Sequence, residues 1–236
     1  MNLPHPIRLA AAPLALAFAF VTGAPAFAHH TDNRTDAFSC KSDNNAGLKR
    51  TELVSKLLPA TVSVNKVQAE TIRTPRRDGS VGDVPTETPQ LNGSGVVIDS
   101  ENGYIVTNYH VVDKEEKLSI TLYSKTGRNS RGAAYPVRVV GRDERSDLVV
   151  LQVTGKDTPQ LPCLPIGDSA AVEAGEEIIA IGTPMALHFS VTSGIVSAVN
   201  RRHDTAKGGI LNMIQVDTAI NPGNSGGLLA NMNGEI

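Results

Sequence analysis

The feature that most constrains this chain is a series of short β-prone runs separated by turn-forming residues. These runs lie at 61–67, 95–99, 104–107, 118–122, 137–140, 148–153, 177–181, 191–199, 213–216 and 227–230. The run LSITL at 118–122 alternates apolar and polar residues, as a half-buried strand does. Many short strands at turn-punctuated spacing favour a sandwich or a barrel, so the sequence predicts an all-β fold.

One segment ahead of these strands has the pattern of a helix. The apolar residues of 49–58 fall on one helical face, and Pro59 ends the run. Those apolar residues are Leu53, Val54, Leu57 and Leu58. We therefore predict a short helix before the first strand.

The composition excludes several classes of protein. The chain has 22 Lys and Arg against 24 Asp and Glu, a net charge of −2, whereas a nucleic-acid binder normally has a basic excess. The hydrophobic fraction of 40% is too high for disorder, and the charged fraction of 19% is too low for a coiled coil. No apolar run reaches the roughly 18 residues of an ordinary membrane span.

The first 28 residues have the pattern of a secretory signal peptide. A weakly basic start precedes an apolar run at 9–21, and Ala26, Phe27 and Ala28 form a small-x-small cleavage signature. We predict cleavage after Ala28 and a periplasmic or secreted protein. The alternative is an uncleaved amphipathic anchor, which fits less well because the apolar run lacks a polar face.

The remaining chain divides at its changes of composition. Residues 29–47 are polar and predicted to be mobile, 48–160 carry the helix and a first β unit, and 161–236 carry a second β unit. Residues 68–92 are predicted to be a long loop. Export permits a disulfide between Cys40 and Cys163, but the spacing does not decide between a pair and two free thiols, and it offers no metal motif.

A serine held between glycines is the first candidate for chemistry. The stretch NPGNSGG at 221–227 allows a tight turn around Ser225 and leaves backbone N–H groups directed at a bound atom. If Ser225 attacks a carbonyl, the N–H groups of Gly223 and Ser225 are the natural oxyanion donors. The alternative for this stretch alone is a polar hairpin turn.

A histidine and an aspartate supply the other two candidates. His110 follows an apolar strand in TNYHVV at 107–112, and an imidazole there can exchange protons near neutral pH. Asp147 precedes LVVL at 148–151, where a carboxylate can fix the imidazole tautomer. Alone, each residue fits a structural role better than a catalytic one. The order His110, Asp147, Ser225 is that of the trypsin-like enzymes.

Together these motifs resemble the HtrA/Deg family of trypsin-like serine proteases. The resemblance covers roughly residues 49–236. The stretches that carry it are GSGVVI at 93–98, YIVTNYHVV at 104–112, SDLVVL at 146–151, IGTP at 181–184, VTSGIVS at 191–197 and QVDTAINPGNSGGLL at 215–229.

The resemblance implies a chymotrypsin-like double β-barrel with the active site between the barrels. It implies that His110 is the general base, Asp147 its orienting carboxylate and Ser225 the nucleophile, with Gly223 and Ser225 as the oxyanion hole. It further implies an endopeptidase that acts on unfolded or misfolded polypeptides, needs no cofactor or metal, and assembles as a homotrimer or larger oligomer. Neither nucleic acid nor a stable membrane span is expected.

Two departures qualify the resemblance. Met185 to His188 replace a glycine-containing segment of the family. The sequence also stops at residue 236, soon after Ser225, whereas the family adds strands that close the second barrel. We therefore expect an incomplete second barrel and a fragment with reduced or no activity.

The substrate pocket is predicted from the residues ahead of the nucleophile. Digestive trypsin-like enzymes that select basic side chains place an acid where this chain has Ala219, beside Ile220. We expect small or aliphatic P1 residues, with Asp217 pointing elsewhere. Two other functions remain open: a non-catalytic, chaperone-like binding module on the same fold, and an unrelated β-rich surface protein.

Overall fold

The computed structural model describes residues 19–21, 40, 45, 47–75, 80–112, 117–124, 134–155, 157–184, 189–204 and 210–236. The helical elements are α1 at Arg50–Leu57, a 3₁₀ turn at Leu58–Ala60, α2 at Tyr109–Val112 and a 3₁₀ turn at Ser169–Ala171. The strands are β1 Ala19–Val21, β2 Thr61–Pro75, β3 Val81–Asp99, β4 Tyr104–Asn108, β5 Leu118–Leu122, β6 Ala134–Asp143, β7 Leu148–Val153, β8 Glu177–Gly182, β9 Ser190–Asp204, β10 Ile210–Val216 and β11 Leu228–Asn231.

Six strands form a closed antiparallel barrel in the order β2-β3-β4-β7-β6-β5. Closure is possible because β2 pairs with β3 at one edge and with β5 at the other, which leaves neither edge of the sheet unpaired. Fully buried apolar side chains fill its interior, among them Val62, Val97, Ile105, Ile120 and Leu151. The prediction of a β-barrel is confirmed for this half of the chain.

The segment predicted as a long loop at 68–92 is instead a two-stranded ribbon. Strands β2 and β3 stay paired from Thr61↔Val96 as far as Pro75↔Val81. Backbone pairing therefore satisfies the polar groups of this proline- and charge-rich segment, which its composition does not reveal.

The predicted helix is present as α1, and it packs on the second half of the chain. Leu53 and Leu57 are fully buried in a cluster with Ile179, Ile181 and Leu228. The helical face read from the sequence is thus the buried face. The helix therefore precedes the first strand of the barrel in sequence but packs against the sheet of the second unit.

The second unit is a five-stranded sheet in the order β1-β10-β9-β8-β11. Its central strands β8 and β9 pair from Glu177↔Ile195 to Gly182↔Ser190. The short strand β1, which falls within the predicted signal peptide, pairs with β10 at Phe20↔Met213. The other residues of the predicted signal peptide and its cleavage site lie outside the described residues, so cleavage stays a prediction.

A disulfide joins Cys40 to Cys163 across 123 residues of sequence. Cys40 belongs to the segment predicted to be mobile, and Asn45 of the same segment is buried and donates its Nδ2 to the Asn233 carbonyl at 2.7 Å. These two anchors depart from the predicted mobility. The reason is long-range bonding that a polar local composition does not disclose.

The departure from the family at Met185 to His188 lies outside the described residues. In the part of the chain that is described, none of the helices has both the length and the apolar character of a bilayer-spanning segment.

Candidate active site

His110 lies in the short helix α2, immediately after β4, rather than on the strand itself. Its ring Nδ1 is 2.7 Å from Asp147 Oδ2, and its backbone N–H donates to Asp147 Oδ1 at 2.8 Å. The carboxylate therefore contacts both the imidazole and the main chain of the same residue. This double contact fixes the ring, because the Nδ1 position becomes the donor and Nε2 is left as the acceptor.

Asp147 itself is held in an uncommon backbone conformation, with φ of 55°. Asp tolerates this left-handed region better than most residues, but the surrounding structure must stabilise it. Its carbonyl accepts hydrogen bonds from the Tyr109 N–H at 2.9 Å and from Asn108 Nδ2 at 3.0 Å. The end of β4 thus fixes the start of β7, and with it the direction of the carboxylate.

The pKa of His110 is raised above its ordinary value by the hydrogen bond to Asp147. Partial burial opposes this effect, and the negative charge of Asp147 adds to it. The protonated form of His110 is therefore stabilised, and this stabilisation helps the imidazole to accept a proton during a reaction.

Ser225 lies in the loop that joins β10 to β11, and this loop is internally hydrogen-bonded. The Asn224 N–H donates to the Asn221 carbonyl at 3.0 Å, and the Gly227 N–H donates to the Asn224 carbonyl at 2.8 Å. Gly226 has φ of 78°, and a Cβ there would lie 2.3 Å from the Ser94 carbonyl oxygen. Only glycine fits this position, so the glycine-rich stretch is required by packing as well as by turning.

His110 and Ser225 line one cavity of about 640 Å³. The rest of its wall is largely apolar and includes Ile178, Val196 and Ile214 of the second sheet. The Ser225 hydroxyl makes no hydrogen bond with His110 or with another described side chain. Such contacts are often long in the absence of substrate.

The two backbone N–H groups predicted as oxyanion donors are unoccupied within the described residues. Neither the Gly223 N–H nor the Ser225 N–H donates to another described group. All three peptide groups from Gly223 to Gly226, by contrast, have their carbonyls bonded. The loop is therefore fixed while two donors next to Ser225 remain available for a ligand oxygen.

The predicted pocket residues separate in the structure. Ile220 lines the cavity, whereas Ala219 is exposed and its carbonyl accepts from Thr192 Oγ1 at 3.1 Å. Asp217 points away, as predicted, because its Oδ1 accepts the Ile195 N–H at 2.7 Å. Gly194 permits this approach, since a Cβ there would lie 2.1 Å from that carboxylate oxygen.

Sequence reasoning assigned no role to three buried hydroxyl residues that meet beside the Ser225 loop. They are Ser94, Thr107 and Thr183, each at most 1% exposed. Each of them lies in a stretch that carries the family resemblance, which is the signal that could have identified them. Most of their hydrogen-bond partners are backbone groups, and such contacts leave no pattern in the sequence. No cluster of three or more potential metal ligands occurs within the described ranges.

The chain is similar to known proteases in both sequence and fold. The family model for a trypsin-like peptidase domain matches residues 93–236, more than half of the chain. The solved HtrA-type protease AlgW with decapeptide superimposes with a TM-score of 0.66 at 28% identity, over 80% of this chain and 57% of that chain.

Two curated relatives share a shorter region. The probable periplasmic serine endoprotease DegP-like of Halomonas elongata is 49% identical over 80 residues, which are 34% of this chain and 16% of that protein. Serine protease PepD of Mycobacterium tuberculosis is 46% identical over 76 residues, which are 30% of this chain and 16% of that protein. The matched region is thus a small part of each relative.

Proposed function

Because this chain belongs to the family of trypsin-like peptidases, in its HtrA/Deg branch, we propose that it is a serine endopeptidase with His110, Asp147 and Ser225 as its catalytic triad. The observation that carries the proposal is the Nδ1 to Oδ2 contact of 2.7 Å between His110 and Asp147, together with the cavity that His110 and Ser225 both line. Two further features support it: Asp147 is held in an uncommon backbone conformation, and the Gly223 and Ser225 N–H groups have no acceptor among the described residues.

The first chemical step is attack by the Ser225 hydroxyl on a peptide carbonyl. Because Asp147 engages Nδ1 of His110, Nε2 is the atom that takes the hydroxyl proton. The carbonyl π bond breaks, its electron pair moves to oxygen, and a tetrahedral intermediate forms. The N–H groups of Gly223 and Ser225 stabilise that oxyanion.

The second step breaks the scissile C–N bond. The His110 imidazolium gives its proton to the departing amine, and an acyl-enzyme ester remains on Ser225. Water then attacks the ester, with His110 again as base, and the acid product leaves with Ser225 restored. The negative charge of the Asp147 carboxylate stabilises the imidazolium in both steps.

The proposed substrates are unfolded or misfolded polypeptides with a small or aliphatic P1 residue. The apolar cavity wall beside Ser225 supports this choice, because exposed apolar side chains distinguish unfolded from folded chains. Ile220 directly precedes the 221–227 stretch and lines the cavity, and it offers no charge to a basic P1 group.

Labelling with a fluorophosphonate tests the nucleophile directly, because the reagent requires an activated serine. We expect covalent labelling of the wild-type chain and turnover of unfolded casein, with both lost in Ser225→Ala. Ser119→Ala is the matched control, since this other buried serine has no hydrogen-bond partner among the described residues. Labelling that persists in Ser225→Ala would contradict the assignment.

A non-catalytic binding module is the second candidate. It is favoured by the size of the apolar cavity and by the absent hydrogen bond between Ser225 and His110. Under this alternative the chain retains unfolded casein without cleaving it, and Ser225→Ala binds equally well. Absent labelling together with retained binding would select it.

Export and self-association complete the proposal. The apolar run and the small-x-small site before residue 29 support secretion into the periplasm. The branch of the family supports a homotrimer or larger assembly. Mass spectrometry of the exported chain, expected to begin at His29, and sedimentation analysis of its mass test these two points.

A further inference from the structure

Ser94 of β3 is a fully buried residue that contacts the Ser225 loop with two different groups. Its Oγ donates to the Gly223 carbonyl at 2.8 Å. Its backbone N–H donates to the Ser225 carbonyl, also at 2.8 Å. A single residue of the closed barrel therefore binds the nucleophile loop at two carbonyls that flank the N–H of Ser225.

The direction of the first hydrogen bond follows from the neighbouring groups. The Thr183 N–H donates to Ser94 Oγ at 2.9 Å, and the Thr183 hydroxyl donates to the Gly93 carbonyl at 3.2 Å. Ser94 Oγ also lies 3.0 Å from the Thr183 hydroxyl, but the Gly223 carbonyl can only accept, so the one hydroxyl hydrogen of Ser94 goes to the closer Gly223 oxygen. Removing the Ser94 hydroxyl therefore leaves the Thr183 N–H without its acceptor and the Gly223 carbonyl without its donor.

These contacts hold the peptide groups next to those that carry the proposed oxyanion donors. The Gly223–Asn224 peptide is held at its carbonyl by Ser94 and at its N–H by Asn221. The Ser225–Gly226 peptide is held at its carbonyl by the Ser94 N–H. Between them lies the Asn224–Ser225 peptide, whose N–H is a proposed donor. Ser94 thus fixes the peptide on each side of it.

The same residue also connects this loop to the strand that leads to His110. The Ser94 carbonyl accepts the hydroxyl of Thr107, on β4, at 2.6 Å. A shift of the loop relative to β4 would therefore have to break contacts at Ser94.

We infer that Ser94 is a positioning residue, whose hydroxyl sets the direction of the oxyanion-binding N–H groups by holding the Gly223 carbonyl. This inference rests on the proposed function, since it assigns Ser94 a role in the same acyl transfer. It concerns a residue that touches neither substrate nor His110, and its effect is confined to the geometry of the nucleophile loop.

Kinetics of Ser94→Ala in the 236-residue chain test the inference. Misplaced donors weaken binding of the transition state and not of the substrate, so we expect kcat to fall about 10- to 100-fold with KM nearly unchanged. Affinity for a peptide boronic acid, which mimics the tetrahedral adduct, should fall by a similar factor. A product peptide should bind as before.

Two controls separate positioning from general stability. Thr183→Val removes a hydroxyl from the same network but keeps the Ser94 to Gly223 contact, so it should retain kcat. Ser94→Cys keeps nearly the same volume with a weaker donor, so it should lie between wild type and Ser94→Ala. Equal losses in Thr183→Val and Ser94→Ala, or full kcat in Ser94→Cys, would overturn the inference.

Amide hydrogen exchange gives a readout that needs no turnover. Ser94→Ala should exchange faster in the peptide that covers 221–227, whereas Ser119→Ala should match wild type. If wild type is not labelled by fluorophosphonate, the proposed function fails, and unchanged exchange in Ser94→Ala then rejects the positioning contact independently. If wild type is labelled and Ser94→Ala keeps full kcat, only the positioning role fails.

Discussion

The two halves of the molecule hold their parts of the candidate site in different ways. His110 and Asp147 lie at the ends of β4 and β7, adjacent strands of a closed barrel with a fully buried core. Ser225 lies on a loop of a five-stranded sheet, and apolar residues of that sheet line a large cavity. The proposed base and its orienting carboxylate are thus fixed by local strand pairing, whereas the proposed nucleophile, Ser225, is not.

This difference indicates which part of the molecule holds Ser225 in place. Strand pairing at Asn108↔Leu148 brings His110 and Asp147 together without help from the second unit. The Ser225 loop instead obtains two of its hydrogen bonds from the first barrel, through Ser94. We therefore expect substitutions in the closed barrel to affect both halves of the site, and substitutions in the sheet to affect mainly the cavity.

The largest effect is expected for Asp147→Asn, which breaks the local pair in the closed barrel. An amide favours the wrong imidazole tautomer, so kcat should fall about 10⁴-fold at neutral pH while fluorescence and melting curves stay close to wild type. A loss below about tenfold would contradict the role of Asp147 in orienting His110.

The same variant gives a pH test with a definite sign. The Asp147 carboxylate raises the pKa of His110, so wild-type activity is lost as pH falls through that raised pKa. In Asp147→Asn the pKa of His110 should drop, and the residual activity should persist to lower pH. The folding stability that the wild-type pair contributes has the opposite trend: it is present at acid pH and lost as pH rises through the same pKa.

Truncating one core residue in each half compares the two cores directly. Leu151→Ala removes a fully buried side chain from the closed barrel and should cost about 3–5 kcal/mol of unfolding free energy. Ile178→Ala removes a side chain that already lines the open cavity, so it leaves no enclosed void and should cost at most about 2 kcal/mol. Urea denaturation of both variants measures this, and equal losses would mean that the sheet is packed as tightly as the barrel.

The disulfide connects Cys40, in the N-terminal segment, to Cys163, which lies between β7 of the barrel and β8 of the second sheet. Cys163 packs on the closed-barrel core, whereas its neighbour Leu164 is buried with α1 and the second sheet. Replacing both cysteines by serine should lower stability by about 2–4 kcal/mol, because the bond closes a loop of 123 residues. Reductant should destabilise wild type and leave the double variant unchanged. A stable, reductant-insensitive wild type would contradict the pairing.

Much of this arrangement was predictable, because apolar periodicity and turn residues are local signals. The helix that ends near Pro59, the strands of the barrel and the order His110, Asp147, Ser225 all follow from short stretches of sequence. The pairing of His110 with Asp147 was expected because both residues adjoin apolar strands of one β unit.

Other features depend on contacts between distant parts of the chain. The Cys40–Cys163 bond and the Ser94 to Gly223 contact join residues 123 and 129 positions apart, and neither has a local pattern. The ribbon of β2 and β3 was mistaken for a loop because prolines and charges tolerate pairing in an exposed ribbon. The composition of a segment indicates how much apolar surface it can bury. These features depend instead on covalent or hydrogen bonds to other parts of the chain.

A smaller effect than truncation of the barrel core is expected at Gly226, where the two halves meet. A methyl group there would lie 2.3 Å from both the Ser94 carbonyl oxygen and Thr107 Oγ1 of the closed barrel, in a backbone conformation that alanine disfavours. Gly226→Ala should therefore cost about 2–3 kcal/mol and move the Ser225 loop away from β3 and β4. Gly141→Ala is the matched control, because no atom lies within 4 Å of its added methyl. If Gly226→Ala unfolds at the same urea concentration as Gly141→Ala, the loop accommodates the methyl group without loss of stability. The position of Ser225 would then be fixed by its own sheet and not by the barrel.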